Sequence, residues 1–182
     1  MVATLDTHER AARLLSYPVD GDGGALAREA ELLAQELPEL KSELSQFADV
    51  VRSADAGTIE EFYTSAFDNT PDRALELGWH AFGETYSRGS FLASMRARMR
   101  DAGIAECIEL PDHITHILRL LPHLDPALAA ALADGVLVQA TDKAIKGFSD
   151  SAHPWLAPLK AARAVMASHV ATSSRAKEQL HA

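Results

Sequence analysis

Signals for helix boundaries recur along almost the whole chain, and no stretch shows the strict apolar–polar alternation of a half-buried strand. Thr7 is placed to cap a first helix, and Pro111 is placed to open another whose apolar side chains recur every three or four residues. The stretch from Gly83 to Gly89, with a glycine at each end, predicts a break or sharp bend between two further helices. The pattern predicts an all-α bundle of about eight or nine helices.

The length of the chain limits the number of domains. The 182 residues, 47% of them hydrophobic, can form one sizeable core but not two independent ones. We therefore predict a single domain over residues 1–182, with residues 1–6 and 172–182 as frayed ends.

The charge is strongly negative and unevenly distributed. The net charge is −9, and residues 1–66 alone carry 13 acidic and 5 basic side chains. Such a surface repels phosphate backbones, so nucleic-acid binding is not expected, whereas a basic peptide would be attracted. Solubility alone would also account for this charge.

A single cysteine and the distribution of apolar residues indicate the compartment. Cys107 excludes an intrachain disulfide and suits a reducing environment. No basic residue adjoins it in the sequence, which predicts an unreactive thiol. No apolar run approaches the roughly 20 residues that cross a bilayer. The N-terminus also lacks the basic and then apolar layout of a secretory signal, because Asp6 and Glu9 interrupt it. We expect a soluble, cytoplasmic protein without membrane insertion.

Titratable side chains are densest between Glu109 and His116. On a helix opened by Pro111, His113 and His116 share one face. Two imidazoles and the Glu109 carboxylate could bind zinc or iron, so a metal-dependent helical enzyme is one alternative. However, the HExxH pattern is absent. Structural roles at the helix entrance for Pro111 and Asp112 are the other reading, and no cofactor is predicted.

Five aromatic residues fall on consecutive predicted helices. Aromatic residues at helical spacing usually pack in a core, but they could also form the apolar wall of a groove that receives a partner helix. Tyr63 and Tyr86 are expected to keep accessible hydroxyls. The five are Tyr63, Phe67, Trp79, Phe82 and Tyr86.

Several short strings occur in a specific order, and together they resemble a known family. They are residues 13–18 (RLLSYP), 63–68 (YTSAFD), 80–84 (HAFGE), 87–89 (SRG) and 109–113 (ELPDH). Together they resemble the delta-subunit, or molybdenum-cofactor assembly chaperone, family of respiratory nitrate reductase (the NarJ type). It lies within the wider group of TorD/DmsD-like helical chaperones. In that group a Glu-x-Pro-x-Asp-His signature marks a helix entrance beside the client-peptide site, and the string here is a shorter form.

The resemblance implies a function and a set of site residues. It implies a chaperone, not an enzyme, that binds the apo catalytic subunit of a molybdenum oxidoreductase through its N-terminal segment and supports cofactor insertion. We expect a monomer or weak dimer. Asp112 and His113 are expected at one end of a groove and not in the core, so that replacing His113 costs little stability. The candidate client-binding residues are Tyr63, Phe67, Asp68, His80, Glu84, Tyr86, Arg88, Glu109, Pro111, Asp112, His113 and His116.

Two further alternatives remain open at this point. The client could be a dimethyl sulfoxide, selenate, chlorate or ethylbenzene-type molybdoenzyme instead of nitrate reductase. The chain could also be a generic helical interaction module with no molybdoenzyme client.

Overall fold

The computed structural model describes the backbone of residues 2–180 and the side chains of residues 2–171. Its helices are α1 (Leu5–Leu14), α2 (Gly23–Glu36), α3 (Lys41–Ser53), α4 (Ala56–Phe67), α5 (Leu77–Phe82), α6 (Tyr86–Asp101), α7 (Ile114–Leu120), α8 (Pro126–Leu132), α9 (Val138–Lys146) and α10 (Leu156–Leu180). A π-helical turn, Ala133–Leu137, joins α8 to α9 without a break. The described residues thus form nine continuous helices, and the all-α prediction is confirmed.

Two predicted helix starts are shifted by three residues. Thr4, not Thr7, caps α1: its hydroxyl accepts the Thr7 backbone N–H at 3.1 Å, and Thr7 completes a capping box. At the other site a tight turn precedes the helix, because the backbone N–H of His113 bonds to the Leu110 carbonyl oxygen at 2.9 Å. Consequently α7 begins at Ile114 and not at Pro111.

The predicted break between α5 and α6 is confirmed. Gly83 ends α5 with a φ of 58°, a backbone conformation that glycine adopts without steric cost. The next helix begins at Tyr86, and Gly89 lies inside it.

Aromatic side chains connect the middle of the core. The ring of Trp155 is fully buried, and its indole N–H donates to the carbonyl oxygen of Leu14 at 3.1 Å. Phe47 and Tyr63 pack edge-to-face against that ring, with centroids 5.2 and 5.7 Å away. These contacts join the end of α1, the helices α3 and α4, and the start of α10.

A short antiparallel bridge holds the segment before α5 against the entrance of α7. The backbone N–H of Leu77 donates to the Asp112 carbonyl oxygen at 2.9 Å, and that of Ile114 donates to the Leu75 carbonyl oxygen at 2.8 Å. The bridge pairs Glu76 with His113. It therefore brings together two parts of the chain that no local sequence signal connects.

The N-terminal segment is bonded to the last helix. The Ala3 N–H donates to the Ser168 hydroxyl at 3.0 Å, so α10 holds part of the segment 1–6 for which fraying was predicted. Of the predicted frayed end at 172–182, the structure describes only the backbone of residues 172–180, and residues 181 and 182 lie outside the described residues. None of the described helices combines the length and the apolar character needed to cross a bilayer.

Candidate functional site

An open cleft of about 460 Å³ lies between the end of α4, the segment before α5 and the loop that leads to α7. We call it the acidic cleft. Five of the predicted site residues line it: Tyr63, Phe67, Asp68, Glu109 and His113. The remaining lining residues, Tyr17, Val19, Leu75, Glu76 and Ile108, were not predicted as site residues.

Apolar side chains form the rim of the acidic cleft. Ile108 is 95% exposed and Val19 is 71% exposed, while the ring of Tyr17 packs edge-to-face on Tyr63 with centroids 5.4 Å apart. Large apolar side chains grouped at the mouth of a cleft are typical of a surface that a partner covers. Val19 and Ile108 lie outside the α-helices, so the helical spacing of apolar residues could not identify them as part of a site.

Carboxylates give the cleft its charge. Burial raises the pKa of Asp68 above its ordinary value. Burial also raises the pKa of Glu76, and the nearby Asp112 and Glu109 carboxylates add to this effect. Among the described residues, no lysine or arginine nitrogen lies within 4.0 Å of Asp68 or Glu76. The cleft therefore carries negative charge that a cationic partner would neutralise.

His113 lies at the inner edge of this cleft and is only 5% exposed. It caps α7, because its Nδ1 faces the Thr115 hydroxyl at 2.8 Å and accepts the Thr115 backbone N–H at 3.4 Å. Its Nε2 lies 3.9 Å from the Glu109 carboxylate. Burial lowers the pKa of His113 to about 4, with His116 and Arg119 adding to the effect. At neutral pH the ring is therefore uncharged, and it presents an N–H donor towards Glu109.

Asp112 is fully buried, so the prediction that it lies at one end of a groove and not in the core is wrong. Its Oδ2 accepts a hydrogen bond from Arg88 Nε at 3.2 Å, and its Oδ1 has no partner among the described residues. Burial raises the pKa of Asp112, and the Arg88 guanidinium opposes that rise. The Asp112 side chain bonds Arg88 at the start of α6, and its backbone carbonyl oxygen accepts from Leu77 at the start of α5. Asp112 therefore joins the starts of α5, α6 and α7. His113 does line a cleft, but its burial contradicts the expectation that it stays out of the core, and Pro111 beside them is buried as well.

Three further predicted residues lie on another face. Glu84, Tyr86 and Arg88 line a more open cleft of about 560 Å³ at the start of α6, together with Thr85, Gly89 and Leu92. Tyr86 is 99% exposed, which confirms the prediction of an accessible hydroxyl. The same prediction is wrong for Tyr63, whose buried hydroxyl donates to the Leu15 carbonyl oxygen at 2.9 Å.

Two predicted histidines lie outside both clefts. The Nε2 of His80 donates to the Ala74 carbonyl oxygen at 2.7 Å. In the nearly buried His116, Nδ1 donates to the Leu110 carbonyl oxygen at 3.0 Å and Nε2 lies 3.3 Å from Cys107 Sγ. The described residues include no group of three or more histidine, cysteine or acidic side chains that could hold a metal ion. The pairing of His113 with His116 as metal ligands therefore gains no support from the structure.

An all-α fold with an acidic, apolar-rimmed cleft has the features of a helical chaperone. The family model of the nitrate reductase delta subunit matches residues 30–161, well over half of the chain, and the chain belongs to that family. It is a family of molybdoenzyme assembly chaperones, which bind the catalytic subunit of nitrate reductase and act in its maturation without being enzymes. All the predicted site residues fall inside the matched range. No curated protein matches the sequence.

Proposed function

We propose that the acidic cleft binds the N-terminal segment of the apo catalytic subunit of a molybdenum oxidoreductase, most simply respiratory nitrate reductase. In this proposal the bound subunit stays competent for insertion of the molybdenum cofactor and for assembly of the complex. The chaperone acts in the cytoplasm as a monomer or weak dimer and leaves before the complex is complete.

The observation that carries the proposal is the combination, in one cleft, of exposed apolar side chains with carboxylates that pair with no lysine or arginine of the described residues. A lysine or arginine of the client would neutralise the charge of Asp68 and Glu76. Leucine, isoleucine or phenylalanine side chains of the client would cover Ile108 and Val19, which lie exposed at the rim. The complementary ligand is therefore a short peptide segment that is both basic and apolar.

Differential binding provides the mechanism. A chaperone that binds only the open subunit shifts its equilibrium by about 2.7 kcal/mol when the free chaperone concentration is one hundred times the Kd. The open state then remains populated while the cofactor enters. Release follows when the matured subunit buries the segment, because the cleft has lost its ligand.

The binding of a client peptide to the cleft can be tested by calorimetry. We expect Asp68→Asn to weaken binding of a basic, apolar peptide from the client N-terminus by about threefold to tenfold, since one partly buried charge pair is lost. Glu39→Gln removes the same charge from an exposed turn outside the cleft and serves as the matched control. Equal weakening by both variants would show that net charge alone attracts the peptide, and it would contradict the proposal. Raising the salt concentration should weaken binding without abolishing it, because the apolar contacts remain.

The identity of the client requires a second experiment. A pull-down from cells grown by anaerobic nitrate respiration should recover the nitrate reductase catalytic subunit. Recovery of a dimethyl sulfoxide, selenate, chlorate or ethylbenzene-type catalytic subunit would instead assign one of the alternative clients. A pull-down that recovers no molybdoenzyme subunit would favour a generic interaction module.

A further inference from the structure

Cys107 and His116 form a hydrogen-bonded pair, and Cys107 directly precedes Ile108 and Glu109, two residues that line the acidic cleft. The Sγ atom of Cys107 lies 3.3 Å from Nε2 of His116, and Nδ1 of the same ring lies 3.0 Å from the Leu110 carbonyl oxygen. A carbonyl oxygen can only accept, so Nδ1 carries a proton. In the neutral imidazole Nε2 then has a free lone pair, and the thiol donates to it. The result is a nucleophile, a base and a group that orients the base.

The two partners differ in exposure, and it is the thiol that is accessible. Cys107 is exposed to solvent, whereas His116 is only 2% exposed and is fixed by its bond to Leu110. The backbone N–H of Glu109 gives the sulfur a second polar contact at 3.4 Å. The sequence alone gave this cysteine no basic neighbour, and the fold supplies one.

The pair also holds part of the acidic cleft in place. Ile108 and Glu109, the two residues after the cysteine, line that cleft. The thiol–imidazole bond fixes one end of this segment to α7, and the bond between His116 and Leu110 fixes the other end. A chemical change at the sulfur is therefore transmitted directly to the cleft wall.

We propose that Cys107 is a redox-reactive thiol, activated by His116, whose mixed disulfide with a small-molecule disulfide loosens the cleft wall and weakens client binding. The second half rests on the peptide binding proposed above. His116 takes the thiol proton while Sγ attacks one sulfur of the reagent. A bond forms between Sγ and that sulfur, the reagent's own S–S bond breaks, and the other half leaves as a thiol after taking up the proton. Cys107 is oxidised and the reagent is reduced.

The consequence for the loop follows from the loss of the thiol proton. A disulfide sulfur has no proton to donate, so the hydrogen bond to His116 disappears. The segment with Ile108 and Glu109 then keeps only the Leu110 attachment to that ring. Ile108 and Glu109 are then held less firmly in the positions from which they line the cleft.

The activation half is tested by the rate of exchange with bis(2-hydroxyethyl) disulfide, a small neutral reagent, followed by mass spectrometry. The natural chain has a single thiol, so only one adduct can form. The matched control combines Ala105→Cys with Cys107→Ser, which places an exposed thiol in the same loop away from the imidazole. We expect the natural chain to react at least about tenfold faster, since a positioned base assists the attack. Equal rates would overturn the activation half.

The effect on the cleft is tested with the basic, apolar client peptide of the calorimetry experiment. We expect binding to weaken about threefold or more in the modified chain, as loss of one hydrogen bond that positions the wall implies, and to recover after reduction. The control chain modified at residue 105 should bind as before. Unchanged binding by the modified natural chain would overturn the second half. Failure of the reduced chain to bind the peptide would instead reject the proposed function and the second half with it, while the exchange rates would still decide the first.

Discussion

At the scale of single residues, His113 combines a structural role with a place at the candidate site. Its ring is buried and caps α7 through Thr115, yet its other nitrogen lies near Glu109 in the acidic cleft. The burial of the ring contradicts the expectation that His113 stays out of the core, and it leads us to expect a larger contribution to stability than a surface position makes. A substitution that tests its part in binding must preserve the cap.

We predict that His113→Ala lowers the free energy of unfolding by about 1–2 kcal/mol, because the α7 N-terminus loses its cap. His113→Asn should cost less, since asparagine is among the best capping residues, while it removes the N–H donor near Glu109. Urea unfolding followed by circular dichroism measures both. A loss below about 0.5 kcal/mol for the alanine variant, as at ordinary surface positions, would refute the capping role.

At the scale of secondary-structure elements, tertiary contacts fix the position of α5. This helix has only 6 residues, too few to be stable alone. It is held by the backbone bond from Leu77 to Asp112 and by Arg88, whose guanidinium lies 5.7 Å from the ring centroid of Trp79. Gly78 makes this close approach possible, because a Cβ atom there would collide with the Asp112 carboxylate and lie 3.1 Å from the Phe91 ring.

We predict opposite effects for the same substitution in two neighbouring helices. Gly78→Ala should destabilise the protein by about 1–3 kcal/mol, because Asp112 and Phe91 must move. Gly89→Ala lies inside α6, where the new Cβ would meet no atom of the described residues within 4 Å beyond the backbone of its own helix. It should stabilise the protein by about 0.5–1 kcal/mol through helix propensity. Thermal unfolding of the two variants measures the difference. Effects of the same sign would refute the proposed close packing at Gly78.

At the scale of the whole molecule, the fold buries histidines in uncharged form. Burial lowers the pKa of His8 to about 4, and the neighbouring His169 adds to this effect against the bond to Thr4. The two rings meet at 2.9 Å between Nε2 atoms and connect α1 with α10. The depressed pKa of His113 near α7 has the same main cause.

We predict that, through these buried histidines, acidification below about pH 6.5 lowers the free energy of unfolding. Between the unfolded pKa of 6.5 and the folded value of about 4, the unfolded chain binds a proton at His8 that the folded chain excludes. The free energy of unfolding therefore decreases as the pH is lowered through this window, by at most about 1.4 kcal/mol per pH unit for each such histidine. Carboxyl groups with raised pKa, such as Glu76 and Asp112, act in the opposite direction.

Because the histidines and these carboxyl groups change stability in opposite directions, the contribution of His8 is measured by comparing the unfolding free energy of variants across pH. His8→Asn should make the dependence of unfolding free energy on pH shallower between pH 6.5 and 4. His123→Gln, which removes a histidine from an exposed position, serves as the control. A His8 variant with the same pH dependence as the natural chain would show that His8 titrates alike in the folded and unfolded states.

The sequence by itself determined the helical fold and the family. Helix caps, turns and apolar periods each depend on residues only a few positions apart in the sequence. The all-α fold and the break at Gly83 could therefore be predicted. Short strings such as residues 63–68 and 109–113 keep their order along the chain, and so they identified the family. Errors at this level were shifts of about one helical turn, as at Thr4 and Ile114.

Only the tertiary structure decided which side chains meet and which are buried. It paired Glu76 with His113, placed Val19 and Ile108 on one rim, and enclosed Asp112. The sequence could not show these features, because burial and proximity depend on how distant segments pack. Loop residues also lack the regular apolar spacing that identifies the buried face of a helix. The side-chain neighbours that set charge and reactivity at the candidate site are therefore a property of the folded chain.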